Sequence, residues 1–179
     1  VAWGDVDGDG DLDLAVGNNY SPNRLYLNDG GTLQTNAVWS SAEADNTSSV
    51  AWGDVDGDGD LDLAVGNDRQ PNRLYENVNG MLATRSTWRT LEAEQTMSVA
   101  WGDVDGDGDL DLAAGNYRDP PHIYLNEGGI LSNHASWSGQ DKETMHVAWG
   151  DVDNDGDLDL AQVADGEQPS VYSNHRDAS

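Results

Sequence analysis

Four stretches of this chain carry an aspartate at every second position over nine residues. They are Asp5, Asp7, Asp9, Asp11 and Asp13; Asp54, Asp56, Asp58, Asp60 and Asp62; Asp103, Asp105, Asp107, Asp109 and Asp111; and Asp151, Asp153, Asp155, Asp157 and Asp159. An apolar core has no use for carboxylates at that spacing, and no helix spaces them so. A hard cation does. Calcium takes about six to eight oxygens, and short acidic loops supply them from alternate positions with a backbone carbonyl among them. In this reading the first three aspartates of each loop ligate through side chains. The fourth offers its backbone carbonyl and leaves its own carboxylate in water, and the fifth closes the shell. Gly10 follows the third ligand, where the chain must turn sharply. The fourth loop position holds Gly8, Gly57 and Gly106, then Asn154; Gly and Asn share tolerance of positive φ, so a left-handed backbone is expected there. The expected cofactor is Ca2+, four ions per chain, in a structural role.

An EF-hand fails as an alternative. Its twelfth loop position needs a bidentate Glu, and Val16, Val65, Ala114 and Gln162 stand there. Its flanking helices are missing too, because Val1-Ala-Trp and Leu12-Asp-Leu-Ala-Val alternate as strands do. A disordered acidic linker is also a poor fit, since four in-register copies flanked by β-branched and aromatic residues are not low complexity.

The elements that hold these loops repeat with them. Trp3, Trp52, Trp101 and Trp149 lie 49, 49 and 48 residues apart, the period of a four-stranded propeller blade. One unit reads as a strand over Val1 to Val6, the acidic loop, and a strand over Leu12 to Gly17. A turn with Pro22 follows, then a strand over Arg24 to Leu27, a hairpin turn at Asn28 to Gly31, and a fourth strand over Thr32 to Ser40. Asn77 to Gly80 and Asn126 to Gly129 match that hairpin. The expected domain is a single repeat array, with units 1–49, 50–98, 99–146 and 147–179, the last lacking its outer strand. A second tryptophan ends each of the first three units (Trp39, Trp88, Trp137). Packing between units is the expected role of all seven, with ligand contact the alternative for these three.

The pattern resembles the FG-GAP repeat, also called the VCBS repeat, of integrin alpha subunits and many secreted bacterial proteins. Trp3-Gly4 stands where that family has Phe-Gly, while Val16-Gly17-Asn18 departs from its Gly-Ala-Pro. The resemblance implies an all-β fold of propeller blades, with a calcium loop joining the first two strands of each. It also implies a secreted or cell-surface location. Families of this kind usually close with seven blades. Four units leave three outcomes: a four-bladed ring, a half ring completed by a second copy, or part of a longer chain.

Composition narrows the partners. The chain of 179 residues has 34 acidic and 8 basic residues, for a formal charge of −26. That field disfavours nucleic acid and anionic membranes as partners, and no apolar run approaches a membrane span. No cysteine is present, so neither a disulfide framework nor thiol chemistry enters. The chain begins at Val1, within a repeat unit and without a leader, and is expected to be a piece of something larger. Asn19 and Asn46 fit the N-glycosylation pattern. The four histidines recur at no shared unit position, apart from His146, which stands where Ser49 and Ser98 precede their Trp strands. No nucleophile, phosphate-loop or zinc-protease motif is found. The expected function is a calcium-binding extracellular module for structure, adhesion or recognition of protein or glycan, without catalysis. The alternatives are a self-assembling ring or filament subunit, or a non-catalytic part of a larger secreted enzyme. The expected partners are further blades, from a second copy or from a longer chain. Arg69, Tyr117 and Arg118 in the least repetitive loops are the candidate ligand contacts.

Overall fold

The computed structural model describes residues 1–140 and 143–175; residues 176–179 of the last expected unit lie outside them. The described residues contain strands and turns and no helix, hence no helix long and apolar enough to cross a membrane. Antiparallel sheets follow one another along the chain. The first joins Ala2–Gly4, Asp13–Val16, Arg24–Tyr26 and Trp39–Ser40 in that order. The second repeats this with Thr47–Gly53, Asp62–Asn67, Arg73–Tyr75 and Trp88–Arg89, and the third with Thr96–Gly102, Asp111–Asn116, His122–Tyr124 and Trp137–Ser138. The fourth has three strands, Thr144–Gly150, Asp159–Ala164 and Ser170–Tyr172. Register is conserved: Trp52 pairs with Leu63, Trp101 with Leu112 and Trp149 with Leu160. Each acidic loop connects the first two strands of its sheet.

The second strands of the second and third sheets, Asp62–Asn67 and Asp111–Asn116, are buried at every position. Both faces of those sheets are therefore covered, each by a neighbour in the chain. The cover is built from aromatic rings. Trp39 meets Tyr75 edge-on with ring centroids 5.2 Å apart, and Trp88–Tyr124 and Trp137–Tyr172 repeat the contact at 5.7 and 4.9 Å, the geometry that aromatic quadrupoles favour. The indole Nε1 of Trp39 donates to the carbonyl of Ala83, and that of Trp88 to Leu131. The end-of-unit tryptophans thus seat in the next sheet, and Trp39 is only 8% exposed. The ligand-contact alternative for them gives way to packing.

Two strand expectations need correction. The first strand is Ala2–Gly4 rather than Val1 to Val6, because Asp5 already belongs to the loop. The stretch from Thr32 to Ser40 is not one strand. Thr32–Leu33 turns back onto Asn28–Asp29, and only Trp39–Ser40 joins the sheet. The same fold-back in the second and third units buries Leu82 and Leu131 among residues of the preceding sheet. Leucine burial stabilises the hairpin in those two units, while Leu33 of the first unit folds back with 36% exposure.

Candidate metal centres

The fourth loop position has φ of 75, 74 and 71° at Gly8, Gly57 and Gly106, and 61° at Asn154, the left-handed backbone expected there. That turn curls the loop so that its carboxylates face inward. Oxygens of Asp5, Asp7 and Asp13 lie within 4.8 Å of one another, as do those of Asp103, Asp105 and Asp111, and of Asp151, Asp153 and Asp159. In the second loop the grouping is Asp54, Asp56 and Asp58. The third aspartate of every loop, Asp58 included, accepts through Oδ1 from the amide two residues on, at 2.9 Å in the first three loops and 3.0 Å at Asp155.

The fourth aspartates of the first three loops depart from expectation. Their carboxylates are not left to water. Asp11 Oδ2 accepts from the Gly30 amide at 2.6 Å, Asp60 Oδ2 from Asn79 at 2.5 Å and Asp109 Oδ2 from Gly128 at 2.6 Å. A 19-residue separation brings the loop under the hairpin, where turn amides lack strand partners. The carboxylate satisfies one of them.

The fifth aspartate is the buried keystone. Asp62 Oδ2 accepts from the Val55 amide at 2.9 Å and its Oδ1 from Asn77 at 2.8 Å. Asp13, Asp111 and Asp159 repeat both bonds. All four are at most 1% exposed. Desolvation pushes the carboxyls of Asp62 and Asp111 up to about 6, against the lowering effect of those amide bonds. Burial is also the leading cause that raises Asp7 and Asp105, with neighbouring carboxylates adding to it. Carboxylates held together at this cost need a counter-charge. Asp5 Oδ1 is buried without a hydrogen-bond partner, an acceptor that a cation would satisfy. An all-oxygen donor set of this kind fits calcium.

Sequence reading missed one residue per unit. Asn28, Asn77, Asn126 and Asn174 each lie 15 residues after the closing aspartate and donate their backbone amide to it. From Asn77 onward their side chains reach the neighbouring loop as well. Asn77 Nδ2 donates to the Val6 carbonyl at 2.9 Å, Asn126 to Val55 at 2.8 Å and Asn174 to Val104 at 2.7 Å. The signal is the recurrence of Asn 15 residues after the closing Asp, a pattern that turn chemistry alone also produces. Of the four histidines, His175 is the one placed at an acidic loop among the described residues. It sits 3.0 Å from Asp155 Oδ2 and forms a further grouping with Asp153 and Asp155. That hydrogen bond raises the imidazole and lowers the carboxyl.

The other singled-out residues fall elsewhere. Arg69 and Arg118 are in the loops after the second strands, with φ of 56 and 69°; the Arg118 guanidinium lies 5.1 Å from the Tyr117 ring centroid. Asn46 Nδ2 is engaged by Asp68, and Asn19 bridges to Asn46. His122 contacts Glu94 at 3.1 Å and His134 faces Glu92 at 3.8 Å; neither belongs to an acidic loop.

Serial antiparallel sheets, each carrying an acidic loop between its first two strands, define a class of repeat protein. The match to the FG-GAP-like repeat model covers residues 5–65, 54–114 and 103–161. The chain belongs to that family. Among solved structures, the fold is similar to the crystal structure of the V. cholerae biofilm matrix protein Bap1, with a TM-score of 0.57 and 16% identity over 90% of this chain. The chain spans 23% of the length of that protein. Curated protein sequences returned no match.

Proposed function

We infer that this chain is an extracellular, calcium-binding β-propeller repeat module with four blades, 1–49, 50–98, 99–146 and 147–179, and a non-catalytic, structural role. The observation that carries this is the convergence of loop carboxylates around a buried, unpartnered Asp5 oxygen, on a scaffold that buries a fifth aspartate beside them. Bound calcium would supply the positive charge that lets the loops hold their shape. Family membership supports the reading. So does the likeness to a biofilm matrix protein, which favours a place in an extracellular assembly. Calorimetric titration of the metal-free chain with Ca2+ tests it: four ions per chain are expected, and two or fewer would overturn the reading.

A specific observation favours assembly through further blades, from a second copy or from more of the same repeat. Three internal contacts press an indole onto a glycine of the preceding sheet. A Cβ built on Gly4, Gly53 or Gly102 would lie 2.7, 2.7 or 2.6 Å from Trp52, Trp101 or Trp149. Gly150, the next such glycine, has nothing within 4 Å, while Trp3 is 56% exposed. These two surfaces are the halves of one repeating contact. Recognition of a glycan or protein would fall to the loops bearing Tyr20, Arg69 and Arg118. These large residues sit at positive φ where the fourth unit has Gly166, a strain that loops retain at functional positions.

A further inference from the structure

We propose that Asn77, Asn126 and Asn174 are positioning residues that tie the acidic loops into one series, so that calcium bound in one loop strengthens binding in the next. The inference rests on the calcium reading above and concerns how the sites communicate. Each side-chain amide bridges two loop backbones. Asn77 Nδ2 donates to Val6, which lies between the ligands Asp5 and Asp7 of the first loop, and to Leu61, which precedes Asp62 in the second at 3.2 Å. Its own backbone amide is held by Asp62. Asn126 spans Val55 and Leu110 in the same way, and Asn174 spans Val104 and Leu158. Asn77 and Asn126 are at most 1% exposed. The hairpin that follows each adds a second tie. The Cβ position of Gly80 is 3.3 Å from Asp7 of the first loop, while Asn79 donates to Asp60 of the second. Gly129 rests on Asp56 while Gly128 donates to Asp109. Each turn therefore leans on one loop and hangs from another.

The coupling follows from ordering. An empty loop carries five carboxylates within nine residues, and their repulsion favours loosening. Binding in the first loop fixes the Val6 carbonyl, which fixes the Asn77 amide, which holds Asp62 and Val55 of the second loop in place. The second ion then meets a loop whose ordering has already been met, which is positive cooperativity. The side-chain amide of Asn28 donates to the Leu12 carbonyl of its own loop at 3.2 Å.

The test uses Ca2+ itself and calorimetry on the whole chain. Asp54→Asn with Asp58→Asn empties the second loop. In the otherwise native chain, the flanking loops should then bind about fivefold more weakly or worse, the low end of usual coupling. In a chain also carrying Asn77→Ala and Asn126→Ala, the flanking loops should bind weakly from the outset. Emptying the second loop should then change them less than twofold. Flanking affinities that do not move in the native background, or that fall equally in both, would overturn the proposal. If the double alanine chain does not fold, Asn77→Ala alone should remove about half of the effect. Asn72→Ala is the stability control. That buried residue binds Asn67 and Thr90 away from the loops, so it should lower the melting temperature and keep the coupling. A native chain that binds two ions or fewer would instead refute the calcium reading.

Discussion

The contact between the second and third sheets and the two outer flanks are built from the same residue types, yet they end in opposite states. Inside, Trp101 lies over Gly53 and donates to the Ala51 carbonyl, while Asn126 clamps Val55. On the first flank Trp3 is 56% exposed. On the last, Gly150 is bare, and Val152 and Val171 are 60 and 44% exposed. The repeat therefore encodes a contact rather than a sheet. A unit stabilises its neighbour as much as itself, as in other arrays whose stability sums over nearest-neighbour interfaces.

The widest gap should come from the indoles. Trp101→Ala is expected to cost about 3 kcal/mol through lost burial and the cavity beside Gly53. Trp3→Ala, on the exposed flank, should cost under about 1 kcal/mol. Urea midpoints in calcium decide it, and equal losses would mean that Trp3 is covered in solution. Glycine reverses the test by adding an atom. Gly53→Ala forces a Cβ against Trp101 at 2.7 Å, and overpacking of this kind costs about 1–3 kcal/mol. Gly150→Ala meets nothing, so a midpoint within about 0.5 kcal/mol of the parent is expected. A large loss at Gly150 would point to a partner seated there.

A smaller contrast lies within one loop. Asp54→Ala removes a carboxylate grouped with Asp56 and Asp58 and should weaken calcium binding at that loop by at least tenfold. Asp60→Ala removes only the acceptor of the Asn79 amide. It should cost about 1 kcal/mol of stability and shift calcium affinity less than the first variant. Equal losses of affinity would assign the Asp60 carboxylate to the metal.

Period, strand content, loop position and the left-handed fourth loop residue were all legible in the sequence. Each is a local property, fixed by spacing or by the φ that Gly and Asn tolerate. The fold-back at Leu82 and Leu131 was not legible, because the residues that bury each leucine lie partly in another sheet. The carboxylate of Asp11 was read as solvated for the same reason. Its partner, Gly30, is 19 residues away and arrives only once the hairpin leaves the sheet. The asparagine clamps span 70 or 71 residues, beyond any local pattern. The sequence leaves the unit-ending tryptophans open between packing and ligand contact, and the rings of Tyr75, Tyr124 and Tyr172 decide for packing.

The central claim is that cations in the acidic loops hold the array together. Thermal unfolding in millimolar Ca2+ and in excess chelator, at the same ionic strength, tests it most directly. A site binding only the folded chain adds about 2.7 kcal/mol at a hundredfold excess over Kd, so several sites should raise the midpoint by well over ten degrees, with one cooperative transition. Coincident midpoints, with and without chelator, would contradict the account.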